Sequence, residues 1–107
     1  MSAFQNKAVN LIREIDGENN LLDHAEARTR LLKSMLALYR ATGGTREELA
    51  PAAQRMLGAA AGHDASVDAC MGDLLQALAV LGHLHDIDII QAGYNTMEAQ
   101  MRGQGTR

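Results

Sequence analysis

The densest group of potential ligands in the sequence is the segment His83-Leu-His-Asp-Ile-Asp88. On a helix, His83 and Asp86 would share a face because they are three residues apart. A zinc site needs a third and usually a fourth converging ligand, which this segment does not supply. His and Asp are also typical of a helix end followed by a new cap. The segment therefore predicts a helix boundary, and we expect no metal site here.

Cys70 is the only cysteine, and Asp73 follows it by about one helical turn. A catalytic thiol needs a base and an electropositive setting. No basic residue lies near Cys70 in sequence, although His24 or His63 could approach it in space. A single cysteine excludes an internal disulfide and fits a reducing compartment. We interpret Cys70 as a small apolar side chain and predict no catalytic residue.

The composition predicts an all-α protein. Strands favour β-branched and aromatic residues, and this chain has only Phe4, Tyr39 and Tyr94 as aromatics. Ala, Leu and Met, which favour helices, are abundant. The formal charge of −3 gives no global nucleic-acid or membrane signal. We predict one helical domain over residues 1–102 and a flexible tail over 103–107.

Helical spacing and capping signals place the elements that position these residues. We expect a bundle of four or five helices, completed by homodimerisation. Two capping boxes, Asp23–Glu26 and Thr45–Glu48, and a cap at Asp88 mark helix starts. The predicted order is a helix over 2–15, a polar connection over 17–20, a helix from 23 to the glycines at 43–44, a short or kinked helix over 47–57, a weak connection over 58–65, a helix over 66–85 and a last helix from 88.

Residues 74–85 read LLQALAVLGHLH, twelve residues without a formal charge. A helix that is apolar nearly all round must be buried on more than one side. This run predicts the central helix of a core and of an oligomer. It is shorter than the roughly 20 residues of a membrane span, and the charged N-terminus does not match a signal peptide. We therefore expect a soluble, cytoplasmic protein with no membrane partner.

Charge is distributed unevenly along the chain. Residues 27–46 hold five basic and no acidic residues, whereas residues 47–101 hold eight acidic residues and one basic residue. These are either solvated faces or surfaces for complementary docking, between subunits or onto an acidic partner. The basic residues are spread around their helix, so nucleic-acid recognition is not expected. The candidates for anion binding are Arg28, Lys33 and Arg40.

Three strings occur in a suggestive order: Arg30-Leu-Leu-Lys33, Met71-Gly-Asp73-Leu-Leu-Gln-Ala-Leu78 and His85-Asp-Ile-Asp88-Ile-Ile-Gln-Ala92. Over about residues 4–102 this order resembles the MazG-like, all-α nucleoside triphosphate pyrophosphohydrolases. The resemblance implies a dimeric helical fold. It also implies magnesium held by Glu-x-x-Glu on one helix and Glu-x-x-Asp on another, where the cation activates water.

The chain departs from that family at most of its functional positions. Asp73 is the one carboxylate that remains of the acidic pairs, so it is interpreted as a remnant, since one carboxylate cannot assemble a magnesium site. We therefore expect no cofactor, with magnesium needed only if the chain is an enzyme. The positions corresponding to the two acidic pairs and to the family's Lys and Asn hold Ala37, Arg40, Cys70, Asp73, Thr96 and Gln100.

Missing catalytic groups and surplus apolar surface favour a non-catalytic protein–protein interaction module. It would regulate or inhibit a partner protein in the manner of an anti-activator. The first alternative is a nucleoside triphosphate pyrophosphohydrolase with a rearranged magnesium site, and the second is a nucleotide or anion sensor without hydrolysis. The predicted partner and dimer interface comprises Leu31, Met35, Leu38, Tyr39, Leu74, Leu78, Leu81, Leu84, Tyr94 and Met97.

Overall fold

The structure is a computed structural model that describes residues 1–59 and 66–105. Within these ranges all regular elements are helices and no strand occurs, which confirms the all-α prediction. The described residues form six helices, one more than the sequence predicts at most. They are α1 (Ala3–Asp16), α2 (Glu18–Leu21), α3 (His24–Ala41), α4 (Arg46–Ala59), α5 (Val67–Leu84) and α6 (Ile89–Gly105).

Side-chain caps fix three of the helix starts. The Ser2 hydroxyl accepts the N–H of Gln5 at 3.1 Å. The Thr45 hydroxyl accepts the N–H of Glu48 at 3.2 Å and donates to the Glu48 carboxylate at 2.9 Å. The Asp88 carboxylate accepts the N–H groups of Ile90 and Gln91, each at 3.0 Å. The caps predicted at Thr45 and Asp88 are confirmed, because each satisfies helix N–H groups that lack an intrahelical acceptor.

The polar connection predicted over 17–20 is wrong for residues 18–20, which belong to the short helix α2. Gly17 ends α1 with φ of 87°, a conformation that favours glycine. The chain then makes one further turn, with the Leu21 N–H bonded to the Gly17 carbonyl at 3.1 Å. The Arg13 guanidinium pairs with the Glu18 carboxylate across this junction. A polar sequence gave no apolar period from which to predict α2.

Helix α4 is longer than the predicted 47–57 segment and contains Pro51. Proline lacks the N–H that would bond to the carbonyl of Glu47, so one intrahelical bond is missing. The capped first turn precedes this position, and the helix continues through Gly58 to Ala59. Residues 60–65 of the predicted connection lie outside the described residues.

The chain divides into two compact units: unit 1 comprises 1–23 and 67–107, and unit 2 comprises 24–66. In unit 1, α1 and α5 each pack against α6. Leu11 of α1 and Met97 of α6, each 5% exposed, are the buried apolar residues among those described. Phe4 and Tyr94 join α1 to α6 through an edge-to-face ring contact, with centroids 5.2 Å apart.

The α5–α6 turn is tight. The Ile87 N–H bonds to the Gly82 carbonyl at 2.8 Å. Gly82 is buried, and a Cβ there would lie 2.6 Å from Ile89 Cγ2. Asp86 has φ of 55°, in the left-handed region. Helix α6 then runs to Gly105, beyond the predicted domain end at residue 102. Residues 106–107 of the predicted tail lie outside the described residues, and the single domain stays a prediction.

In unit 2, a turn after Ala41 connects α3 to α4. The Gly44 N–H bonds to the Tyr39 carbonyl at 2.9 Å. The Tyr39 ring covers Gly44 so closely that a Cβ there would lie 2.2 Å from Tyr39 Cε2. Within unit 2, α3 and α4 do not pack along their lengths, and no residue of α3 is buried.

Candidate functional site

The most exposed apolar element of unit 1 is α5. Only 6% of this 18-residue helix is buried, although its mean hydropathy is 1.3. Leu78, Leu81 and Gly82, near the α6 turn, are half-buried or buried. The sequence requires burial of this helix on more than one side, and within the described part of the chain that burial is not provided. The large exposed apolar side chains of α5 are Val67, Met71, Leu75, Val80 and Leu84.

The same helix is long and apolar enough to cross a membrane, by length and composition alone. The expectation that no segment reaches spanning length is therefore corrected. The spanning-length segment is the whole 18-residue helix over 67–84, which adds residues 67–73 before the charge-free run and carries Asp68 and Asp73 as its two formal charges. One such helix is a weak indication, because the core helix of a soluble protein passes the same test.

The large exposed apolar side chains of α5 fall on two sides of the helix. Val67, Met71 and Leu75 follow one another at four-residue spacing and share a side. Val80 and Leu84, also four residues apart, lie on a different side, and we name this pair the α5 outer patch. The side of α5 that carries Leu75 therefore faces α1 and α6, whereas the α5 outer patch lies on a different side of the helix.

An apolar cavity of about 630 Å³ opens between α1 and α5, and we name it the unit 1 groove. Ser2 and Gln5 supply its polar side chains. Its volume lies in the range of about 300–1,000 Å³ typical of ligand pockets. Its apolar lining consists of Phe4, Ala8 and Val9 from α1, Met71, Leu74 and Leu75 from α5, and Ile90 from α6.

Unit 2 presents a second apolar surface on α3. Leu31, Leu32 and Met35 are 48%, 56% and 43% exposed. Their spacing of three and four residues places them on one side of the helix, together with the half-buried Leu38 and Tyr39. We name these five residues the α3 face. Ala37 lies on the opposite side and is exposed.

The predicted interface residues divide between these surfaces and the core. Met97 is buried and Tyr94 packs on Phe4, so both contribute to packing within unit 1. The others are half-buried or exposed. On α3 these are Leu31, Met35, Leu38 and Tyr39, and on α5 they are Leu74, Leu78, Leu81 and Leu84.

The positions expected from the resemblance lie in different units. Ala37 and Arg40 belong to α3 in unit 2, whereas Cys70 and Asp73 belong to α5 in unit 1. All four are exposed. Among the described residues, no three His, Cys, Asp or Glu side chains come together to hold a metal ion.

The histidine–aspartate segment lies at the boundary between α5 and α6, as predicted. Asp88 uses its carboxylate to cap α6. His83, His85 and Asp86 are exposed. Of the two histidines considered as partners for Cys70, His24 is exposed at the start of α3, and His63 lies outside the described residues.

One of the three residues predicted to bind an anion lines a cavity. Arg40 contributes to a space of about 530 Å³ at the α3–α4 turn, whereas Arg28 and Lys33 are exposed along α3 away from it. Sequence reasoning missed Arg46, which lines the same space with Tyr39 and Thr45. The available signal was its place in the Thr45–Glu48 capping box, directly after the two glycines.

No family model matches this chain, no curated protein matches its sequence, and no solved structure matches its fold. The resemblance to MazG-like pyrophosphohydrolases stays a prediction that rests on the three quoted strings.

Proposed function

We propose that this chain is a non-catalytic, cytoplasmic helical interaction module. It binds a partner protein and regulates or inhibits it in the manner of an anti-activator, and it acts as a homodimer. The observation that carries this proposal is the apolar surface that α3 and α5 leave exposed. Leu31, Leu32 and Met35 on one helix, and Val80 and Leu84 on the other, are each at least 43% exposed.

Physical reasoning supports binding of protein by these surfaces. Contiguous apolar patches larger than a few hundred Å² are rare on soluble monomers and mark interaction sites. Leu, Met and Tyr side chains at three- and four-residue spacing form the side of a helix that packs in helix-to-helix recognition. The positions that correspond to the acidic pairs of the MazG-like enzymes also agree with a non-catalytic function, because Ala37 and Cys70 supply no oxygen ligand for magnesium.

Partner capture tests the proposal. Tagged wild type is compared with a Val80→Glu/Leu84→Glu variant, which charges the α5 outer patch, and with Ala79→Glu, which adds charge at an exposed position on the Leu75 side of α5. A binding hot spot is worth about 2 kcal/mol or more, so we expect the double variant to lose at least about tenfold in partner recovery. Equal recovery by all three proteins, or no recovery by any, contradicts the proposal.

A nucleotide turnover assay tests the proposal that the protein is non-catalytic. Purified protein is incubated with a panel of nucleoside triphosphates and magnesium, and pyrophosphate release is measured. We expect no release above buffer. Turnover that Asp73→Asn abolishes would establish the pyrophosphohydrolase alternative and overturn the proposal.

The cavity at the α3–α4 turn favours the anion sensor as a second candidate. Arg40 and Arg46 line it with the Tyr39 ring, and guanidinium groups bind phosphate through paired N–H donors. Calorimetry with nucleotides in the absence of magnesium tests this candidate. Binding that Arg46→Ala removes and Arg55→Ala retains would support it, because Arg55 is a basic residue of the same helix outside the cavity.

A further inference from the structure

We infer that the cavity at the α3–α4 turn, named here the turn cavity, binds a small zwitterion: a free α-amino acid with an apolar side chain. Arg40 lines this cavity from the end of α3, and Arg46 and Glu47 line it from the start of α4. All of its lining residues belong to unit 2, so the site is described within one unit. The inference goes beyond the proposed protein binding, because it assigns the module a small-molecule ligand.

The turn cavity carries charges of both signs that do not pair with each other. Arg40 and Arg46 are its cations, and Glu47 is its anion. None of these three side chains forms an ion pair or a hydrogen bond within the described ranges. Guanidinium groups bind carboxylates through paired N–H donors, and a carboxylate accepts hydrogen bonds from an ammonium group. A ligand that carries both a carboxylate and an ammonium group therefore satisfies both signs at once.

Glu47 favours a zwitterion over a ligand that carries phosphate. A phosphate group has about two negative charges at neutral pH, and like charges placed side by side in a binding site are unfavourable. The ammonium group of a zwitterion instead makes the Glu47 carboxylate an attractive partner. Helix α4 begins at Arg46, and the positive end of its dipole favours a single carboxylate there.

Aromatic and aliphatic side chains supply the remaining recognition. The Tyr39 ring lies against Gly44 with no room for a Cβ between them, so this contact fixes the ring at the turn. An ammonium group over such a ring is attracted to its face. Leu36 of α3 and Leu49 of α4 are half-buried and also line the cavity, where they cover an apolar ligand side chain. The volume of about 530 Å³ lies in the range of typical ligand sites.

Ligand titration followed by two-dimensional NMR of the whole chain tests the inference, because it measures weak binding and locates it. The probes are L-leucine and L-phenylalanine. Three controls each lack one feature: 3-methylbutylamine lacks the carboxylate of leucine, 4-methylpentanoate lacks its amino group, and inorganic phosphate is an anion without either. We expect saturable shifts of the Gly44 and Thr45 amides with at least one amino acid, with a Kd of about 1 mM or tighter. Each control should bind at least about tenfold more weakly.

Three variants assign the binding to the turn cavity. Arg46→Ala removes a guanidinium and should weaken amino-acid binding at least about tenfold. Arg55→Ala is the matched control, a basic residue of the same helix outside the cavity, and should leave the affinity unchanged. Glu47→Gln should weaken amino-acid binding and strengthen binding of 4-methylpentanoate, because it removes the ammonium partner and the repulsion of the carboxylate together.

Absence of shifts with both amino acids up to about 10 mM, with helical circular dichroism retained, overturns the inference. Phosphate or 4-methylpentanoate that binds as tightly as the amino acid overturns it in favour of the anion sensor. Equal binding of 3-methylbutylamine, or shifts confined to unit 1, overturns it as well. Partner capture by the α5 outer patch is measured separately, so either proposal can fail without the other.

Discussion

At the scale of single residues, Gly82 is the position where the α5–α6 turn depends most on a missing side chain. A Cβ there would lie 2.6 Å from Ile89 Cγ2 and 2.8 Å from the Ile87 carbonyl oxygen. The second neighbour is backbone, so it cannot move aside by a rotamer change. The close approach explains why glycine is needed in an otherwise Leu- and Ala-rich helix.

We predict that Gly82→Ala lowers the free energy of unfolding by about 1–3 kcal/mol, the usual cost of overpacking. Gly72→Ala on the same helix is the matched control, because no heavy atom lies within 4 Å of its Cβ position. That control should gain about 0.5–1 kcal/mol from helix propensity. Urea unfolding measures both. Equal effects of the two substitutions would contradict the close packing at Gly82.

Asp88 gives a second residue-scale prediction. Its carboxylate accepts the N–H groups of Ile90 and Gln91 at the start of α6. We expect Asp88→Ala to lower the free energy of unfolding by about 0.5–2 kcal/mol, the usual cost of losing a cap. Asp88→Asn should retain most of the stability, because its side-chain oxygen also accepts. Thermal melts followed by circular dichroism test this, and a stable Asp88→Ala protein would contradict the cap.

At the scale of elements, α4 contains an internal proline that costs it one intrahelical hydrogen bond. Pro51 lies inside the helix, where it cannot donate to the Glu47 carbonyl. We predict that Pro51→Ala increases helical circular dichroism and raises the midpoint of thermal unfolding, since proline is about 3 kcal/mol less favourable than alanine inside a helix. Ala50→Gly, the neighbouring exposed control, should do the opposite. A lower unfolding midpoint for Pro51→Ala would contradict this prediction and show that Pro51 stabilises unit 2.

The sequence predicts helix starts well where a cap is built from adjacent residues. Thr45 and Asp88 were identifiable from their types and spacing because capping is local. Helix α2 was not, because its polar residues have no apolar period. The α3 face also follows from spacing, but the unit 1 groove does not, because it combines residues of three separate helices. Leu74 and Leu75 predict burial, and spacing alone does not say what buries them.

At the scale of the whole molecule, the account joins a small buried core to large exposed apolar surfaces. Leu11 and Met97 are buried, while Val67, Met71 and Leu84 are more than 60% exposed. Burial of apolar area contributes about 25 cal/mol per Å², so covering these side chains is a substantial source of stability. We therefore expect folding to be coupled to association, with unfolding midpoints that rise with protein concentration.

The central claim is that the exposed apolar sides of these helices bind protein, first of all a second copy. Light scattering across a range of concentrations measures it directly, on wild type, Met35→Glu on the α3 face and Ala37→Glu on the opposite side of α3. We predict twice the chain mass for wild type and Ala37→Glu, and the mass of one chain for Met35→Glu. A wild-type protein that stays helical and has the mass of one chain at every concentration would contradict the account.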